Sequence, residues 1–219
     1  MEGLKDTIPD KKERYRVILE ECIYFSDINP FNIFIVKLLL DPYNEYNLNY
    51  NEGNTLELDI TKKWGLNGFD AVIGNPPYTP SGTVGTGHTI WQLFTHKSLK
   101  EWLNTSGYLV FVHPAGWRKP SVEYSKSKYK DIYNILSIEN NLIYLEIHNT
   151  KDGMKIFRCG TRYDWYLCQH FCENKKFETI IKDEEGCIEK INLKEKKWIP
   201  NKNIKKVYDI FNGEYYKIL

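Results

Sequence analysis

The chain has 219 residues, of which 42% are hydrophobic and 15% aromatic. This composition is enough for a packed core and excludes a disordered chain. Its 30 Lys and Arg balance 29 Asp and Glu, so the net charge of +1 does not by itself indicate a nucleic-acid-binding protein. The longest apolar run, at 33–40, is interrupted by Lys37 and is far shorter than the ~20 residues that span a bilayer.

The N-terminal stretch "MEGLKDTIPDKKERYR" contains no apolar signal segment. The five cysteines are odd in number and show no C-x-x-C spacing, which is typical of reduced thiols. We therefore expect a protein of the cytoplasm, or of the nucleoid or nucleus if it associates with DNA, with no membrane contact. Cys168, His170 and Cys172 form a C-x-H-x-C pattern without an apparent fourth ligand, so we predict no metal site there.

The apolar pattern predicts helices and strands in alternation. In chain order these are a helix at 10–21, a strand at 22–27, a helix at 29–41, strands at 54–60 and 68–74, a helix at 89–104, a strand at 107–114, a helix at 127–138, and strands at 142–149 and 161–171. This rhythm is typical of an α/β fold, a mostly parallel sheet with helices on both faces. Charged alternation around "DEEG" follows, so we expect one domain at 1–172 and a different region at 173–219.

Three polar side chains lie at the ends of predicted strands or, for Asn54, in the segment "EGNTL" where a strand begins: Asp27, Asn54 and Asn75. Ligands of an open parallel sheet bind beyond the carboxyl ends of its strands. The carboxylate of Asp27 is suited to accept both hydroxyls of a ribose, although an acid in this position also suits the cap of the next helix. Both roles for Asp27 stay open.

The string "NPPY" follows the predicted strand "GFDAVIG". Pro76 and Pro77 fix the backbone and lack amide donors, so the carbonyl groups of this turn are rigid acceptors. Together with the side-chain oxygen of Asn75, they suit a ligand NH2 group that donates both of its hydrogens. Tyr78 adds a flat face for a planar ring. The turn therefore predicts a pocket for an amine on a flat heterocycle, and the Gly-rich loop at 79–89 is placed to close over it.

"DAVIGNPPY" resembles the catalytic motif of the amino methyltransferases that use S-adenosylmethionine, above all the DNA adenine-N6 family of the restriction-modification type. "IYFSDINPFNIFIVKLLL" resembles the strand and helix that hold the cofactor ribose in this family, which implies a role for Asp27 and Ile28. "EGNTL" is similar to the segment beside the cofactor adenine, which implies a role for Asn54 and Thr55. The similarity covers about residues 12–200.

The resemblance implies a Rossmann-like methyltransferase sheet that transfers a methyl group to the N6 amine of an adenine flipped out of DNA. It assigns the catalytic role to Asn75, Pro76, Pro77 and Tyr78, with Phe157 on the other face of the base. It also implies that residues 173–219 begin a target-recognition or C-terminal region. Three residues after a strand end are expected at the DNA backbone, with a solvated loop as the alternative: Trp117, Arg118 and Lys119.

The first strand of the family, which ends in a Gly-rich turn, has no counterpart before the predicted helix at 10–21. In the family this strand lies between the strands that end at Asp27 and at Asn75. Without it these two strands lack a shared neighbour, and unpaired buried backbone groups are costly. We therefore expect this chain to be a fragment, a split gene product, or one half of a two-chain enzyme whose second chain supplies this part.

Other readings stay open. Protein glutamine-N5 methyltransferases and some RNA base methyltransferases share the strand-NPPY pattern, since a glutamine amide also offers an NH2 group to two acceptors. The long loop after NPPY, Trp117 and the C-terminal region favour DNA. The chain is also compatible with a non-catalytic remnant that binds DNA or a partner.

Overall fold

The computed structural model describes residues 2–79, 89–119, 131–171 and 178–211. The chain divides into two compact units, Met1–Leu66 and Asn67–Leu219. Within these described ranges each unit has its own sheet, with two strands in the first unit and six in the second.

The first unit has two parallel strands and three helices. These are α1 (Lys11–Val17), which continues through wider helical turns at Ile18–Cys22, β1 (Tyr24–Asp27), α2 (Pro30–Leu40), β2 (Asn49–Glu52) and α3 (Ile60–Trp64). The side chain of Asn29 caps α2 by accepting from the amide of Phe31, and Pro30 takes the first helical position, where its missing amide costs nothing. Since β1 and β2 are parallel, their carboxyl ends lie at the same edge, with Asp27 opposite Glu52.

The strand predicted at 54–60 is wrong. The strand lies earlier, at Asn49–Glu52, between the predicted helix at 29–41 and the predicted strand. The side chain of Asn54 accepts from the amide of Leu56 and begins a tight turn, and Asp59 caps α3 in the same way. Short polar side chains that bind following amides favour turns and helix starts over strands, and this preference decides the local structure here.

The second unit is a mixed α/β structure. Its elements are β3 (Phe69–Gly74), α4 (Trp91–Lys97), β4 (Leu103–Pro114), α5 (Ile132–Asn134), β5 (Asn141–His148), α6 (Thr150–Phe157), β6 (Tyr163–Gln169), β7 (Glu178–Lys182), β8 (Ile188–Asn192) and α7 (Ile204–Phe211). The strand order is β3-β4-β6-β5-β7-β8. The pairs β3/β4 and β5/β7 are parallel, and β6 is antiparallel to both of its neighbours. The predicted α/β class is confirmed, but the sheet of this unit is mixed and not mostly parallel as predicted, since the pairs β4/β6, β5/β6 and β7/β8 are antiparallel.

Alternate residues of the central strands form the core of this unit. Phe111, Tyr166, Leu145 and Ile181 lie side by side in register across four strands, and all are buried. Residues of α4, α5 and the turns that extend them close this face of the sheet, among them Trp91, Leu99, Ile132 and Leu136.

The change of pattern after residue 172 does not divide the compact units, which meet at 66/67. Strand β7 pairs with β5 and extends the sheet. Buried side chains of the C-terminal part belong to the same core as the central strands: Ile181, Leu193, Ile199, Ile204 and Tyr208. A target-recognition role for 173–219 stays a prediction.

The strands that end at Asp27 and at Asn75 belong to different sheets. Among the described residues, β1 pairs with β2 alone and β3 pairs with β4 alone. The open edge of β3 agrees with the missing first strand that the sequence predicts.

Candidate active site

The Asn-Pro-Pro-Tyr turn leaves the carboxyl end of β3. Pro76 is buried, whereas Asn75 and Pro77 are exposed and Tyr78 is half-buried. The described peptide bonds are all trans, so both prolines hold the backbone in an extended turn. The side chain of Asn75 is therefore free to face a ligand while Pro76 anchors the turn.

Tyr78 fixes the base of the loop that follows it. Its carbonyl oxygen accepts a hydrogen bond from the amide of Ile90 at 3.2 Å, which joins the two ends of the segment predicted to close over the site. Residues 80–88 of that segment lie outside the described residues. The hydroxyl of Tyr78 is buried and has no hydrogen-bond partner among the described residues. Burial raises the pKa of Tyr78 to about 12, and the nearby Cys159 and Tyr163 act in the same direction.

Phe157, which the resemblance assigns to the other face of a base, lies beside Tyr78 in the structure. The ring centroids are 6.4 Å apart and the ring planes meet at 72°. Phe157 is the last residue of α6, a helix that begins with a capping box in which Asn149 and Asp152 each bind the other's backbone amide. The fold thus brings together two aromatic residues that are 79 positions apart in the sequence.

The close packing of α6 against the next segment depends on Gly153. A Cβ atom at this position would lie 2.1 Å from the carbonyl oxygen of Thr161. Only glycine therefore allows the helix that carries Phe157 to approach residues 159–161 this closely.

The residues assigned to the cofactor meet at the carboxyl edge of β1 and β2 in the first unit. Asp27 accepts hydrogen bonds from the amide of Asn29 at 2.7 Å and from the side chain of Asn32 at 3.0 Å. The Thr55 hydroxyl lies 2.8 Å from that of Ser26. The side chain of Asn54 is exposed and binds Glu57 at 2.7 Å, and Ile28 is 70% exposed.

Of the two roles that the sequence leaves open for Asp27, the structure shows contacts at the start of the helix, and the ribose role stays a prediction. The carboxylate of Asp27 orders the start of α2, although Asn29 is the capping residue. A carboxylate has about four acceptor positions, so two remain after these bonds. Ser26 and Asn51, whose side chains are joined by a hydrogen bond of 3.1 Å at the same edge, were missed by sequence reasoning.

Two of the three residues expected at the DNA backbone are buried. Trp117 is 4% exposed and Arg118 is 6% exposed, whereas Lys119 is exposed. Arg118 donates to Asp164 at 2.9 Å and to the backbone and side-chain oxygens of residues 199–201, so it fastens the C-terminal part to the sheet. DNA contact stays a prediction for Lys119, and the burial of Trp117 and Arg118 gives them a structural role in this fold.

The histidines and cysteines of the described segments form no metal-binding group of three or more ligands. Cys168 is buried in the core, and His170 binds the side chain of Asn140 at 3.0 Å. Cys172 lies outside the described residues. Within those same segments, every helix is too short or too polar to cross a membrane.

Comparisons with known proteins agree with this architecture. A family model described as Eco57I restriction-modification methylase matches residues 21–149. No curated protein matches the chain. A chain from a structure of the type I restriction-modification system is 17% identical, with a TM-score of 0.58 over 99% of this chain and 44% of that one.

Two further solved structures share the fold. The M protein of the type I restriction enzyme EcoKI is 16% identical, with a TM-score of 0.57 over 81% of this chain and 38% of that one. The methyltransferase subunit of a type I restriction-modification system from Streptococcus thermophilus is 15% identical, with a TM-score of 0.52 over 87% and 42%. The chain thus spans less than half the length of these proteins.

Proposed function

This chain belongs to the Eco57I restriction-modification methylase family, and from this premise we propose that it transfers a methyl group from S-adenosylmethionine to the N6 amine of adenine in DNA. The observation that carries the proposal is the pairing of Tyr78 with Phe157, 6.4 Å apart, directly beside the Asn75 and Pro76 acceptors. A flat base can stack on these rings once one of them turns, and the two rigid acceptors suit its NH2 group.

The chemistry that we propose depends on position and electrostatics. The lone pair of the N6 amine is delocalised into the ring, which makes it a poor nucleophile. When the Asn75 side chain and the Pro76 carbonyl accept its two hydrogens, the nitrogen becomes more tetrahedral and its lone pair is localised. A nitrogen–carbon bond then forms as the sulfur–carbon bond breaks, and the nitrogen afterwards loses one proton to solvent.

The edge formed by β1 and β2 fits the cofactor. S-adenosylmethionine supplies the sulfonium methyl group when it is bound. The two free acceptor positions of Asp27 suit its ribose hydroxyls, and Asn54 and Thr55 suit its adenine. The amide of Asn54 is a weaker acceptor than the carboxylate that the family usually carries there, so this contact contributes less.

We further propose that a complementing polypeptide completes the sheet at β3. The supporting observation is the open edge of this strand, where Ile73 is 77% exposed. In register with Ile73, a row of apolar side chains crosses the same face of the sheet: Val110, Leu167, Tyr144 and Ile180. Sheets of α/β proteins are normally covered on both faces, so this row suits contact with added structure.

Titration calorimetry with S-adenosylmethionine tests the cofactor assignment. We expect the 219-residue chain to bind it, and Asp27→Ala to weaken binding at least about tenfold, since a charged acceptor of two hydroxyls is lost. Asn192→Ala, at an exposed position at the end of β8, is the matched control and should bind like the wild type. No binding by a chain shown to be folded would contradict the proposal and favour the non-catalytic reading.

The same purified chain can be used to distinguish DNA, RNA and protein as substrates. Incubation with methyl-labelled cofactor and DNA, RNA or protein, followed by mass spectrometry, identifies the acceptor atom. The proposal predicts N6-methyladenine in DNA. Label on a glutamine amide or an RNA base would replace it with one of the alternatives that share the strand-NPPY pattern.

A further inference from the structure

Phe157 belongs to a line of four rings. It meets Tyr78 on one side, and on the other it meets Tyr163 edge to face at 4.9 Å and 86°. Tyr163 in turn stacks on His148 at 4.4 Å, with only 7° between the ring planes. The line therefore runs from the loop after β3 to the paired strands β5 and β6, in which His148 and Tyr163 are partners in register.

The helix that carries Phe157 does not hold its ring by itself. Phe157 ends α6, and Arg158 after it takes the left-handed backbone conformation, with φ of 57°. The neighbouring apolar side chains of this helix, Met154 and Ile156, are 52% and 59% exposed. Tyr163, by contrast, is only 7% exposed and belongs to a central strand. Contact with Tyr163 is thus the firm support of the Phe157 ring.

His148 is itself held on both sides. Its Nε2 atom lies 3.4 Å from a carboxylate oxygen of Glu146, and its Nδ1 atom lies 3.7 Å from one of Asp152. Glu146 accepts hydrogen bonds from Lys182 at 2.9 Å and from the Tyr144 hydroxyl at 3.0 Å. The imidazole therefore lies between two carboxylates, with the parallel Tyr163 ring stacked on it.

We propose that Tyr163, backed by His148, is a positioning residue that sets the ring plane of Phe157 for stacking on the target base. This inference rests on the proposed function. The 72° between Tyr78 and Phe157 leaves no parallel slot for a base, so one ring must turn when a base enters. Because the buried Tyr163 supports the Phe157 ring, we infer that Tyr78 turns and that Phe157 keeps its orientation.

The test uses the 219-residue chain and a single-stranded oligoadenine with one 2-aminopurine, whose fluorescence falls when it stacks on an aromatic ring. The variants are Phe157→Leu, Tyr163→Leu and Tyr163→Phe. The last of these keeps an aromatic ring at position 163. Trp165→Leu is the matched control, because it removes a ring from the same strand and the same face. Carbon-13-labelled phenylalanine reports the Phe157 ring by NMR in each free protein.

We expect Tyr163→Leu to weaken stacking about two- to tenfold, in the range of one aromatic pair, and to shift the Phe157 ring signals. With Tyr163→Phe and Trp165→Leu, the strength of stacking should stay within about twofold of the wild type. The Phe157 ring signals should not shift in either variant. If Tyr163→Leu does not fold, His148→Leu, at a half-buried position, replaces it with the same expected direction.

Two results would overturn the inference. One is a loss with Phe157→Leu that Tyr163→Leu does not reproduce, and the other is an equal loss with Trp165→Leu. If Phe157→Leu itself leaves stacking unchanged, the base-binding part of the proposed function fails instead. In that case the NMR signals alone decide whether Tyr163 sets the Phe157 ring, and unchanged signals in Tyr163→Leu would refute it.

Discussion

Tyr78 packs edge to face against Phe157, yet its buried hydroxyl has no hydrogen-bond partner among the described residues. A buried polar group without a partner costs free energy, and its removal at constant shape is neutral or stabilising. We therefore predict that Tyr78→Phe raises the free energy of unfolding by about 1 kcal/mol, measured by urea denaturation. Tyr78→Leu, which loses the ring, should lower it. A less stable Tyr78→Phe would mean that the hydroxyl has a partner in the free protein.

Arg118 and Asp164 form a buried ion pair that joins β6 to the segment at 199–201. Burial raises the pKa of Asp164 to about 6, although the Arg118 guanidinium lowers it. We predict that Arg118→Met destabilises the chain by about 3–5 kcal/mol, since one charge stays buried without its partner.

Two further variants check this explanation. Arg118→Met combined with Asp164→Leu should recover most of the loss, because no unpaired charge remains. Lys119→Met, at the exposed neighbouring position, should change the free energy of unfolding by less than about 0.5 kcal/mol. An Arg118→Met variant as stable as the wild type would restore the expectation of an available guanidinium for DNA.

His113 is fully buried, stacks on Trp91 at 4.0 Å and lies 3.2 Å from the Tyr166 hydroxyl. Burial lowers the pKa of His113 from 6.5 to about 3. The unfolded chain therefore binds this proton more tightly, and the stability that neutral His113 permits is lost as the pH falls from about 6.5 toward 3.

We predict that His113 alone lowers the free energy of unfolding by roughly 3 kcal/mol between pH 7 and pH 4. In His113→Gln the free energy of unfolding should therefore fall less over this pH range. Urea denaturation at the two pH values measures the difference. Burial also lowers the pKa of His96 and His170, and the raised pKa of Asp164 acts in the opposite sense, so these contributions remain in both proteins. An equal loss in both proteins would contradict the role of His113.

Ile73 is 77% exposed on β3, and one edge of this strand has no partner among the described strands. Open edges of this kind promote strand-to-strand association, and an edge lysine opposes it. We predict that Ile73→Lys leaves the free energy of unfolding within about 0.5 kcal/mol of the wild type but reduces self-association in sedimentation velocity. Val110→Lys, in the adjacent strand, is half-buried and should destabilise. Unchanged association would show that the β3 edge does not mediate it.

Strong periodic signals predicted most of the fold. The apolar runs of β3, β4 and β5 and the Asn-Pro start of α2 lie where the sequence places them. The α6 helix was missed, although its capping box, Asn149 and Asp152, is readable in the sequence. Strand β2 has no apolar run and depends on backbone pairing with β1, a tertiary contact that no local pattern contains.

The candidate site also contains some residues that the sequence predicts and others that it does not. Asn75 and Tyr78 follow from a rigid local string, and the approach of Phe157 to Tyr78 agrees with the resemblance. Tyr163 and His148 had no sequence signal, because their roles arise from register between β5 and β6. The sequence predicts Arg118 as a surface cation, because its buried partner Asp164 is 46 residues away and no local pattern indicates the pair.

Analysis of the methylated product tests the central claim most directly. Duplex DNA is incubated with the wild-type chain or with Asn75→Ala and methyl-labelled S-adenosylmethionine, then hydrolysed, and its nucleosides are identified by mass spectrometry. We predict N6-methyladenine with the wild type and its loss with Asn75→Ala, while Asn192→Ala behaves like the wild type. Label on cytosine, or equal label with Asn75→Ala, would contradict the account.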